Sequence, residues 1–254
     1  MPLGISEAHA EQEIRISEYV RGTFVPISHL AHGWEFHSSV TLTPAEERTV
    51  VRDPAQAVPS ALAQRLGKLR VLAVPYIACR EPEDCVSRVK PQGESHTAAW
   101  VETSEYIHLI LPCRELDAHD TGFEFLASLG ELVRPRLTPD ELDRFSSQLR
   151  EEIHLGVPGE IDEEARAAKQ GLLSARLGRR HRSQFESYRD ISFVSTVAEY
   201  VHGMWHDVQI RVGPEHLPLP QLRARMQLMS EMFPPNPGYR IFAEEIEKEK
   251  QEQP

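Results

Sequence analysis

Along residues 34–42 (WEFHSSVTL), Trp34, Phe36, Val40 and Leu42 fall on one face and Glu35, His37, Ser39 and Thr41 on the other, with Ser38 interrupting the apolar side. A period of two is that of a half-buried strand. Residues 69–78 (LRVLAVPYIA) and 106–111 (YIHLIL) are nearly continuous apolar runs bounded by turn residues, which predicts strands covered on both faces. Residues 98–103 predict a further strand paired with 106–111. Pro75 lacks the amide hydrogen that a central strand donates, so the run 69–78 is expected at a sheet edge or broken by a bulge. Short helices are expected near 44–51 and 60–68.

Beyond residue 120 the period changes. Thr138-Pro139-Asp140-Glu141 supplies an N-cap, a proline at the first helical position and a capping-box Glu, and Leu142, Phe145, Leu149 and Ile153 follow at helical spacing. Gly156 and Pro158 stop that helix. Residues 162–177 open on acidic positions and end before Gly178, and Leu219, Leu222, Met226, Met229 and Phe233 form a 3-4-3-4 stripe before Pro234-Pro235. Segments 123–133 and 191–208 complete a mainly helical half. Strands first and helices later predict an α+β protein with a small N-terminal mixed sheet and a mainly helical C-terminal half. The expected organisation is a sheet-containing part, 1–118, a helical part, 119–242, packed with it as one domain, and a charged, disordered tail, 243–254.

Composition narrows the function. With 28 Lys+Arg against 39 Asp+Glu, the 254-residue chain carries a formal net charge of -11, which argues against general nucleic-acid binding, since that depends on a positive surface releasing counterions. No run approaches the roughly 20 apolar residues of a membrane helix, so no membrane insertion is expected. The first residues show no basic stretch followed by an apolar run, and Cys79, Cys85 and Cys113 are too few for a disulfide scaffold. A cytoplasmic protein with free thiols is the expectation, although Cys79 and Cys85 flank the turn REPED and would be placed to pair under oxidation.

The constellation with the clearest chemistry lies in 190–208. Ile191, Val194, Val197, Ala198, Val201 and Trp205 share one side of a helix, and Glu199, His202 and His206 lie within about 60° of one another beside that stripe. Two imidazoles four residues apart reach one ion, a carboxylate one turn earlier is a third ligand, and a fourth position stays open for water. The residues therefore predict a divalent-metal cofactor, zinc first among candidates, and a metal-dependent hydrolase. The histidine spacing is that of His-Glu-x-x-His, but Gly203 stands where that motif has its general-base Glu, which moves the base to Glu151 or Asp207. The alternative is a protein without catalysis that binds a protein partner through its acidic surface and helical half.

Other features compete. Glu-x-x-His recurs at Glu105/His108, Glu151/His154 and Glu199/His202, the spacing used by di-iron bundles, yet the first copy falls in a predicted strand and the second at a helix end. His29, His32 and His37 are crowded and would need Cys79 and Cys85 to complete a site. Arg176, Arg179, Arg180, His181, Arg182 and Arg189 read as a solvated loop between helices, Met226, Met229 and Met232 as core, and Cys113 as a packed thiol at a strand end.

Overall fold

The structure, a computed structural model, describes residues 13–175, 178–206 and 213–242. The class is α+β, and contacts divide the chain into two units, Met1–Gln56 with Leu66–Phe125 and Ala57–Arg65 with Leu126–Pro254. The boundary thus falls inside a helix, after residue 125, and a short internal stretch belongs with the C-terminal unit. Among the described residues no helix is long and apolar enough to cross a membrane.

The first unit holds two sheets. Strands β1 (Glu13–Arg15), β5 (Tyr76–Ala78) and β6 (Cys85–Ser87) form an antiparallel sheet in the order β1-β6-β5. Strands β2 (Ser28–His29), β3 (Glu35–Ser38), β4 (Leu69–Val74), β7 (Ala99–Glu102) and β8 (Ile107–Pro112) form a mixed sheet in the order β2-β3-β4-β8-β7. The three central strands are parallel, with Leu72 opposite Ile110 and Phe36 opposite Val71, while β2 and β7 close the edges antiparallel. β4 and β8 are buried along almost their whole length, as their continuous apolar runs require. Leu72, Val74 and Ile110 meet Ile77, Val86, Ile16, Val20 and Phe24 in one cluster. Trp34 donates from Nε1 to the Gly67 carbonyl at 3.0 Å and stands edge-on to Phe125.

Pro75 does not place its strand at an edge. β4 is the middle strand of the mixed sheet and stops at Val74, so the proline falls in the single-residue gap where the chain leaves one sheet and enters the other as β5. Both neighbours of β4 are therefore satisfied by residues before the missing amide hydrogen.

The second unit is helical. After α1 (Ile16–Tyr19), α2 (Pro44–Glu47), α3 (Asp53–Ala57), α4 (Ser60–Leu66) and α5 (Ala118–Val133) come α6 (Pro139–His154), α7 (Glu163–Leu173), α8 (Arg179–Trp205) and α9 (Leu219–Met232). α6 begins as its sequence predicts, with Thr138 and Glu141 closing a reciprocal capping box. It ends in a Schellman motif: Gly156 at φ +67° donates to Ile153 O and Val157 donates to Glu152 O. Thr138→Ala removes the cap and is expected to lower stability by about 1 kcal/mol, read as a shifted urea midpoint at unchanged slope.

α8 differs most from the periodicity reading. It spans 27 residues, about 40 Å, and starts a dozen residues earlier than expected. Arg179, Arg180, His181, Arg182 and Arg189 accordingly lie on the first turns of a helix and not in a loop, with Gly178 as its N-cap; Arg176 lies outside the described residues. Residues 179–190 contain no Gly or Pro and half of them are Arg, Gln or Glu, which favour helix, but the stretch is largely solvated and so carries no apolar stripe to reveal it. From Ser192 to Met204 the helix is buried almost all round: Phe193 stands edge-on to Phe145, and Tyr200 donates to the Phe233 carbonyl at 2.7 Å.

The core of this unit contains ions. Arg225 on α9 is fully buried and forks onto two buried carboxylates. Its Nε and Nη2 reach Glu152 at 3.1 and 2.6 Å, and its Nη1 and Nη2 reach Glu160 at 2.8 and 3.0 Å. Tyr188 donates its hydroxyl to Glu160, and the Lys169 ammonium lies 3.1 Å from the same oxygen. Two cations thus balance two anions. Burial alone would raise the Glu160 carboxyl, but the charges of Arg225 and Lys169 and its hydrogen bonds hold it below the usual carboxylate range. Glu160 is placed by a parallel bridge to His216, in which it donates to Glu215 O and accepts from Leu217 N.

Candidate metal centre

The antiparallel pairing of β5 and β6 also sets the side chains at their ends. In the antiparallel pair Ala78 faces Cys85 and Ile77 faces Val86, while on the other side of β5 Ala78 bridges Ser95. Cys79 donates its amide to Glu94 O at 3.1 Å, and His96 donates to Ile77 O at 3.2 Å. With a period of two, Cys79, Asp84 and His96 come to one face and Cys85 to the opposite one. The Cys79 sulfur, an Asp84 carboxylate oxygen and a His96 ring nitrogen lie within 4.8 Å of one another, and this is the one such trio among the described residues. His96 Nε2 and Asp84 Oδ2 are 3.1 Å apart.

The turn that carries Asp84 is anchored on three sides. Arg80 forks onto Glu13 at 2.9 and 2.5 Å, Glu83 accepts from the Ser17 amide and hydroxyl at 2.6 and 3.0 Å, and the Asp84 carbonyl accepts from Ile16. Asp84 Oδ1 takes the Arg80 amide at 3.2 Å, which orients the carboxylate and leaves Oδ2 toward His96. Burial, then the charges of Asp84 and Glu94, push the Cys79 thiol above its ordinary value. A cation inverts that logic: the carboxylates that disfavour a bare thiolate attract a metal, and a coordinating thiol loses its proton. Cys85 donates to Glu83 O at 3.7 Å, so the two cysteines of this hairpin face apart and are not poised to pair.

Glu199, His202 and His206 are arranged differently from the expected helix face. Glu199 and His202 are buried within α8, whereas His206 is exposed and extended (φ −114°, ψ 160°) at its C-cap. The His202 and His206 rings stack with centroids 5.4 Å apart, and Trp205 sits edge-on to both. These three do not form a trio of converged ligand atoms of the kind found at Cys79. Of the two bases considered for them, Glu151 is exposed near the end of α6 and Asp207 lies outside the described residues.

The remaining candidates are dispersed. His37 bonds the Pro26 carbonyl through Nδ1 at 2.8 Å, His29 is exposed and His32 takes a left-handed backbone at φ 61°. His108 is buried on β8 while Glu105 is exposed, and His154 is exposed at the end of α6. Cys113 donates to Leu111 O, and burial pushes its thiol up to about 12, which leaves it a packed, protonated side chain. Cys79 and the acidic turn were visible in the sequence, but the partner His96 was not, because it joins through a single bridge with no strand pattern of its own. No protein-family model and no curated protein sequence matches the chain.

Proposed function

We propose that the protein is a divalent-metal enzyme of the zinc hydrolase type, with Cys79, Asp84 and His96 as the metal's protein ligands. The observation that carries this is the convergence of a sulfur, an oxygen and an imidazole nitrogen within 4.8 Å on a hairpin whose turn is tied down by three separate contacts. Sulfur and imidazole donors suit zinc and exclude magnesium or calcium, which take oxygen ligands. Three protein ligands leave one tetrahedral position for water, the composition of hydrolytic zinc sites as opposed to closed structural ones. A metal there supplies a hydroxide near neutral pH.

Plasma mass spectrometry of untagged protein tests the assignment. Near-stoichiometric zinc is expected in the native chain and in His202→Ala/His206→Ala, and none in Cys79→Ser/His96→Ala. Loss of metal in the α8 variant alone would transfer the centre to Glu199, His202 and His206, and a native chain without metal would overturn the reading altogether.

A further inference from the structure

We infer that residues 13–17 form a strap whose docking and the binding of zinc at Cys79, Asp84 and His96 reinforce each other, so that the segment regulates the centre and the metal in turn fixes the segment. This rests on the metal reading above and adds to it how the site is assembled.

Asp84 carries the inference. Its backbone carbonyl accepts from the Ile16 amide at 3.0 Å, its Oδ1 accepts from the Arg80 amide at 3.2 Å, and its Oδ2 lies 3.1 Å from His96 Nε2. Arg80, whose amide orients that carboxylate, also carries the guanidinium that forks onto Glu13. Beside Asp84, Glu83 accepts from the Ser17 amide and hydroxyl. Each of these anchors of the strap therefore lands between the ligands Cys79 and Asp84 or on the second of them. The strap has little other support at this end. β1 has three residues, α1 has four and is too short to persist as a helix alone, and Ile14 is exposed, which leaves Ile16 as the apolar anchor. Short elements with few buried contacts belong to the low-stability end of a structure and open locally.

When the strap opens, residues 80–84 lose Glu13, Ile16 and Ser17 together, and the Asp84 carboxylate keeps only the Arg80 amide on its own turn. A metal needs the sulfur, the oxygen and the nitrogen in place at once, so the entropy of ordering a free turn subtracts from its affinity, whereas a strapped turn is already ordered. Linkage makes the effect reciprocal: the factor by which the docked strap raises zinc affinity is the factor by which zinc favours docking.

Zinc affinity, measured on the full chain by competition with a chromophoric chelator, tests the coupling in Ser17→Ala and Ile16→Ala, neither of which changes a charge or a ligand. Weakening of about threefold is expected in the first and about tenfold in the second. In the native chain, exchange of the Ile16 and Ser17 amides followed by NMR should slow about tenfold at saturating zinc. Leu109→Ala separates coupling from general destabilisation: it empties a fully buried position on β8, in the other sheet, and is expected to lower stability while leaving zinc affinity as it was. Unchanged zinc affinity in the two strap variants, an equal loss in Leu109→Ala, or amide exchange indifferent to zinc would overturn the inference and leave the metal reading standing. A native chain that takes up no zinc would overturn both.

Discussion

Arg225→Met is expected to lower the stability of the protein by about 3–5 kcal/mol, a large share of what a domain has. The Met side chain fills much of the volume, so the loss is electrostatic: Glu152 and Glu160 stay buried, and the hydrogen bonds both accept from the guanidinium disappear. Lys169 remains beside Glu160 but cannot serve Glu152 as well. The effect carries a pH signature. The folded Glu160 carboxyl is depressed, so in the native chain its contribution is complete above the unfolded value, near 4.5, and is lost as pH falls through the lower folded value. Without Arg225 the burial of Glu160 raises its carboxyl, so the variant should regain part of its stability as pH falls toward the unfolded value, where the native chain gains nothing. Urea midpoints measured from pH 4 to 8 on both proteins check the size and the direction, and identical profiles would refute the assignment of the network as the source.

Gly159→Ala is expected to cost about 2–4 kcal/mol. The residue has φ +66°, and a Cβ there would lie 2.2 Å from the His216 carbonyl oxygen and 2.4 Å from its carbon. Backbone, not a flexible side-chain end, stands in the way. Relief requires separating residues 159–160 from 215–217, which breaks the bridge that holds Glu160 against Arg225. The two variants therefore act on one structure, and the double variant Gly159→Ala/Arg225→Met should lose less than the sum of the single losses. Gly171→Ala serves as the contrast, since it lies inside α7 with open space around its Cα and should gain up to about 1 kcal/mol.

What the sequence revealed follows from which forces leave a periodic trace. β4 and β8 were legible because strands covered on both faces need unbroken apolar runs, and α6 because Thr138, Pro139 and Glu141 act within four residues of one another. The start of α8 was hidden because its solvated first turns bury little, and helix propensity writes no stripe. Pro75 was read for what it forbids inside a strand, whereas it stands between two strands of different sheets. Arg225 sits next to Met226 in the apolar stripe of α9, and its partners lie 65 and 73 residues away, so local pattern had no means of marking it as buried. The same holds for the trio Cys79, Asp84 and His96: the first two are close in sequence, but His96 reaches them through one bridge. At α8 the spacing of His202 and His206 correctly drew attention to the helix, but burial of the first and extension of the second depend on neighbours outside the motif.

The assignment of residues 57–65 to the C-terminal unit bears on how the chain folds as it is made. Val58 and Leu62 are fully buried in the finished protein. Arg65 of the same stretch bonds Glu141, 76 residues later, and Ser60 bonds Asn236, 176 residues later. At the roughly 5–20 residues per second of ribosomal synthesis, these partners emerge about 4–15 s and 9–35 s after it. During that interval α4 is a two-turn apolar segment with nothing to cover it, far too short to persist as a helix alone. Strands β4 and β8 can join in the meantime, so the nascent chain passes through a stage in which one sheet is formed around a loop still waiting for its partners.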